Sequence, residues 1–128
     1  DVQVNCTSDN NTIRKDPTLW DVYASAMVTA PTGDPQYFFT SCALDSSVSN
    51  NGHYHSDKLE ELAAQMENEF DVDKRAELGI QMQQTVLDDN AYVFCSHLRM
   101  SMIMQSNVTG LVAHPCDYYE LTADLDIN

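Results

Sequence analysis

His53 and His55 stand two residues apart in the run Gly52-His53-Tyr54-His55-Ser56. On extended backbone such a pair shares a face and can ligate one metal ion. The same run also reads as a polar loop that sets up a helix with Tyr54 packed inward, because no third ligand is fixed in register. Cys95 and His97, with Asp88 and Asp89 upstream, are the residue types of a thiol–imidazole nucleophile. No Gly-rich turn or helix N-terminus adjoins Cys95 to activate a thiolate, so the spacing argues against catalysis. Phosphate-loop, dinucleotide-loop and serine-elbow patterns are absent from the sequence. No motif here is catalytic, and the chain is not read as an enzyme.

Arg99 is the sole cation after Arg75. A guanidinium in acidic surroundings is a structural partner for a carboxylate, or a clamp for the carboxylate of a ligand. Met100, Met102 and Met104 alternate along one face of a strand-like stretch. They read as core filling first and as an adaptable contact surface second.

The bulk composition narrows the classes further. The 128 residues are 43% hydrophobic with only 4 Gly and 4 Pro, as expected of one globular domain. Lys and Arg total 6 against 20 Asp and Glu, a formal charge of −14. Phosphate backbones are bound by clustered cations, so nucleic acid is excluded as a partner. No stretch reaches the ~20 apolar residues of a membrane span, and no signal peptide opens the chain. Its strand-like start, Asp1-Val2-Gln3-Val4, is what an excised segment or processed chain would show. Cys6, Cys42, Cys95 and Cys116 include no Cys-x-x-Cys pair, so a cysteine-type zinc module is not expected. Their spacing favours none of the possible pairings, and Cys95 reads as a small buried hydrophobe.

The elements that must position these residues follow from periodicity. Residues 1–6 and 19–28 read as strands, the second aromatic and β-branched enough to be buried. Residues 35–43 suit a short helix with Pro35 in its first turn, and residues 44–51 form a Ser/Asn-rich loop. A helix starts at Asp57, with Glu60 completing a capping box and Leu59, Leu62, Ala63, Met66 and Phe70 on one face. A second helix over 72–87 places Val72, Ala76, Gly79, Ile80, Met82, Val86 and Leu87 on one broad arc, which Arg75 and Gln83 interrupt. Residues 91–104 read as one bent strand or two, and residues 107–110 as a turn. The sum predicts an α/β class: a mixed sheet flanked by helices in a single domain over residues 1–128.

Several short patterns then recur in a telling order. They are Trp20-Asp21-Val22-Tyr23, Gly33-Asp34-Pro35 followed by aromatics, Gly52-His53-Tyr54-His55-Ser56 before a helix, and Asp71-Val72-Asp73-Lys74-Arg75. Leu87-Asp88-Asp89-Asn90-Ala91-Tyr92-Val93 and Val108-Thr109-Gly110-Leu111 complete the series. From Leu19 onward the chain resembles the C-terminal lobe of the extracytoplasmic solute-binding proteins of ABC importers, in the oligopeptide/dipeptide/nickel family (family 5). Departures are Phe94 where a Pro is frequent, and no second Trp after Trp20.

The resemblance implies one lobe of a two-lobe, type II periplasmic-binding-protein-like molecule, excised from a larger protein. It implies capture of a peptide, or of nickel or a nickel chelate, between the lobes and delivery to a membrane permease. The implied partners are that ABC permease and the N-terminal lobe of the same protein. The implied location is extracytoplasmic, in a periplasm or lipid-anchored as a lipoprotein. Ligand contacts are expected from Met27, Thr29, Tyr54 and Arg99, and metal contacts from His53 and His55. No resident cofactor is implied, nickel being cargo. The rival expectation is a protein-interaction domain with no small ligand, using the Met-rich strand face.

Overall fold

The computed structural model describes residues 1–98, 101–112 and 122–128. Its organised centre is helical. Helix α1 (Asn10–Ile13) is a single turn capped by the Asp9 side chain, and a 3-10 turn follows at Pro17–Leu19, capped by Asp16. Helix α2 (Gln36–Phe38) runs directly into a wider π-type turn, Phe39–Ala43. Helices α3 (Asp57–Glu67) and α4 (Val72–Asp88) then pack against each other as a hairpin.

The boundaries have local causes. Ser56 is the N-cap residue of α3, and Asp57 is its first helical residue, one position inside the expected cap. Glu60 does not close a capping box: its carboxylate accepts the Asp45 N–H at 2.8 Å and ties the preceding loop to the helix. Asp71 caps α4, accepting from the N–H groups of Asp73 and Lys74, both at 3.1 Å. At the far end Asn90 adopts a left-handed φ of 55°, which turns the chain back toward the core at Ala91.

The core gathers Phe38, Phe39, Cys42, Ala43 and Leu44 from the first helical stretch. Leu59, Leu62, Ala63 and Met66 from α3 meet them, with Met82 and Val86 from α4. Tyr54, Leu78, Ala91 and Tyr92 close its margin. Gly79 is where α4 comes closest to Pro35: a β-carbon there would lie 3.0 Å from the proline Cβ. The α3 face is as the spacing predicts except Phe70, which lies beyond the helix and is exposed. The α4 arc divides. Gly79, Met82 and Val86 are buried, whereas Val72, Ala76, Ile80, Leu87 and Gln83 face outward.

The expected α/β fold with a mixed sheet flanked by helices is overturned. Among the described residues, strand is confined to β1 (Val108–Thr109) and β2 (Asp126–Ile127), a two-stranded antiparallel pair. Its register pairs Val108 with Ile127 and Thr109 with Asp126. Residues 1–6, 20–28 and 91–98 carry β-forming side chains but no ladder. A strand needs a neighbour to take its backbone hydrogen bonds, and among the described residues no backbone pairing forms along these.

Local contacts compete as well. The Trp20 indole donates to the Ile13 carbonyl at 3.0 Å and its ring packs on Tyr23. Cys95, expected to be buried, is exposed and free, like Cys6, while Cys42 is free and buried. Val2, Val4, Val22, Val93 and Leu98 in the flanking segments are exposed to water.

Met82 is fully buried between the helices. Truncation there leaves a cavity that the rigid hairpin cannot refill. Met82→Ala is expected to lower unfolding free energy by about 2–5 kcal/mol in urea titrations, with an unchanged helical signal before the transition.

Candidate functional site

The loop between the π-type turn and α3 carries both histidines, and side-chain hydrogen bonds hold it together. The Ser47 hydroxyl accepts the Leu44 N–H at 3.0 Å and donates to the Thr40 carbonyl at 2.8 Å. The Asn50 side chain accepts the Tyr54 N–H at 2.9 Å and donates to the Tyr54 carbonyl at 2.7 Å, replacing a neighbouring strand. His53, between them, takes a left-handed φ of 52°. A polar cleft of about 400 Å³ opens here, lined by Lys15, Asp45, Ser47, Asn50, His53 and Tyr54 among others.

Tyr54 joins the cleft to the core. Its hydroxyl donates to the Asp89 carboxylate at 2.6 Å, and its ring meets Tyr92 edge-on. Tyr92 in turn donates to the Cys42 carbonyl at 2.6 Å. Burial, reinforced by Asp89, raises the Tyr54 hydroxyl above its ordinary pKa, and burial does the same at Tyr92. Both phenols stay neutral donors at physiological pH.

The two histidines have different surroundings. His55 Nδ1 lies 2.9 Å from one Asp45 carboxylate oxygen, and Nε2 lies 3.3 Å from Asp57. A neutral imidazole donates from one nitrogen only, so engaging both carboxylates requires the imidazolium. The Asp45 hydrogen bond and charge, with a smaller contribution from Asp57, raise the His55 pKa. Among the described residues no group of three or more His, Cys, Asp or Glu is arranged to hold a metal ion. Both ring nitrogens of His55 are turned to carboxylates, so its contacts are those of an ion pair. His53 borders the cleft without a described side-chain partner.

Of the expected ligand contacts, Met27 and Tyr54 lie along one chain of contacts. The Met27 thioether accepts from the Cys42 thiol at 3.3 Å, Tyr92 bonds to the Cys42 carbonyl, and the Tyr92 ring meets Tyr54. Thr29 is exposed and its side chain is not joined to them. Arg99 lies outside the described residues, as do Met100 and Cys116.

Among the described residues the densest set of polar contacts belongs to Arg75, which in the sequence is a break in an apolar arc and the last residue of the Asp71-Val72-Asp73-Lys74-Arg75 pattern. One nitrogen, Nη1, donates to the carbonyls of Met66 at 2.7 Å and Glu69 at 3.0 Å, satisfying groups at the C-terminal end of α3. The other, Nη2, reaches both Asp34 carboxylate oxygens at 3.0 and 2.8 Å and Gln36 Oε1 at 3.1 Å. Asp34 also accepts the Gln36 N–H at 2.8 Å. The legible signal was a cation on an otherwise apolar helix face together with a carboxylate before a proline. Comparison with known protein families, with curated proteins and with solved structures gives no match for this chain.

Two outcomes follow. A double-mutant cycle on Asp34→Ala and Arg75→Ala is expected to give a coupling of about 1–2 kcal/mol in urea unfolding, with Arg75→Lys recovering less than half. The His55 pair stabilises fully below the unfolded imidazole pKa of about 6.5 and is lost as pH rises through the higher folded value. The urea midpoint should therefore fall as pH rises above about 6.5, and His55→Gln should remove that part of the slope.

Proposed function

We propose that the chain forms the ligand-capturing part of an extracytoplasmic solute-binding protein serving an ABC importer, with a small peptide as cargo. One observation supports this reading most. The Asp-Pro piece at Asp34-Pro35 and the Asp-x-x-x-Arg piece ending at Arg75, quoted independently for the family resemblance, meet in one guanidinium–carboxylate contact. The contact joins two of these patterns across 41 residues of chain.

Chemistry favours a peptide over a metal chelate. The cleft offers an ammonium, an imidazole, side-chain amides and a carboxylate, which suit the termini and amides of a short peptide. Tyr54 would supply apolar contact from the cleft wall. Of the two loop histidines, His53 is the one whose ring is not turned to carboxylates, so a nickel chelate is the competing cargo. Capture would be completed by a second lobe closing over the same loop, with release to the membrane permease.

Half of such a site binds weakly. Titrating the isotope-labelled chain with di- to pentapeptides should shift the amides of residues 44–55 with a dissociation constant of about 0.1–1 mM. No shift at saturating peptide would refute the peptide reading. A response to nickel alone, lost in His53→Ala, would transfer the assignment to the metal.

A further inference from the structure

Helix α4 is apolar over more of its circumference than the core uses. At 100° per residue, Val72, Gln83, Ala76, Leu87 and Ile80 fall in order across an arc of about 80°, all outward-facing. Exposure is 79% at Val72, 66% at Ile80 and 41% at Leu87. One border of this arc is the buried row of Gly79 and Val86, so the exposed stripe continues the packed face, with Gln83 as the polar residue within it. A helix apolar on two adjoining faces is one built to be covered on both.

The other border is acidic. Asp73, Gln84, Glu77 and Asp88 occupy the next sector of the wheel and are all exposed. Among the described residues, none of the three carboxylates pairs with a cation. Asp73 and Glu77, four apart, repel each other at a cost to the helix of a few tenths of a kcal/mol. An apolar stripe with an uncompensated acidic margin is complementary to a stripe with a cationic margin. It is poorly suited to a second copy of a chain carrying −14, because the copies would bring like charge together.

We propose that the outer face of α4, centred on Ala76 and Ile80, docks a partner protein surface that presents an apolar ridge edged by Lys and Arg. The partner's aliphatic side chains cover Val72, Ala76, Ile80 and Leu87, and its cations meet Asp73, Glu77 and Asp88. This surface rests on α4 alone and stands whatever ligand the cleft takes.

The probe is a pair of helical peptides with leucines at i, i+4, i+8 and i+15, one edged by lysines and the other by glutamates on the facing side. Binding to the full chain is read by fluorescence anisotropy at low and high salt, with the chain's mass followed by sedimentation. The lysine peptide should bind at least tenfold more tightly than the glutamate peptide, and less tightly as salt rises. Ile80→Asp should weaken it at least tenfold. Glu77→Lys with Asp88→Lys, which leaves the apolar stripe intact, should invert the preference. Equal binding of the two peptides, no effect of either variant, or a stable dimer of the chain would overturn the proposal.

Discussion

The guanidinium of Arg75 links three separate stretches of chain. It closes the end of α3, it sits on the first turn of α4, and it holds Asp34 and Gln36 at the entry to α2. The arrangement is efficient electrostatically. The carbonyls at a helix C-terminus carry partial negative charge, so a cation there is favourable before any carboxylate is added. Adding Asp34 neutralises the charge in a partly buried position where a lysine could not reach both partners. Pro35 is then brought against Gly79, and the aromatic residues that follow are aimed into the core. Without this contact the hairpin of α3 and α4 would still have its cap at Asp71. The stretch carrying Phe38, Phe39 and Cys42 would lose its only ionic attachment to the hairpin among the described residues.

From that fixed core the loop bearing the histidines inherits its shape. Glu60 and His55 tie it to α3, while Asn50 and Ser47 close it on itself. Tyr54 and Tyr92 connect the loop to the core at Cys42 and to the exit from α4 at Asp89. A ligand bound in the cleft would therefore press on groups that share hydrogen bonds with the helical core, which gives loop and core a common response.

The helical part was legible because its signals are local. The spacing of Leu59, Leu62, Ala63 and Met66, and Asp71 before a periodic run, specify α3 and α4 without knowledge of any partner. The short helix after Pro35 was legible for the same reason. The sheet was misread because β-forming side chains at residues 19–28 and 91–104 record what a segment can pair with, and pairing depends on neighbours. Val22, Val93 and Ile103 carry that pattern and remain exposed. The divided arc of α4 shows the same limit, since periodicity identifies apolar faces without saying which one the core takes. Arg75 was visible as an anomaly, but its partners are far away in sequence and only the fold brings them together. His53 and His55 looked equivalent on the page. The left-handed turn at His53 and the flanking carboxylates at His55 give them separate roles.

The central claim is that, among the described residues, one clasped helical unit carries most of the backbone hydrogen bonding, and that the β-prone flanks join it through side chains such as Met27 and Tyr92 without forming a ladder. Native-state hydrogen exchange on the whole chain tests this most directly. The account predicts that amides in Phe39–Ala43, Asp57–Glu67 and Val72–Asp88 share one opening free energy, while residues 20–28 and 93–98, whose amides have no backbone partner, exchange at close to unprotected rates. Protection of the flanks equal to that of α4, or separate openings of α3 and α4, would contradict it.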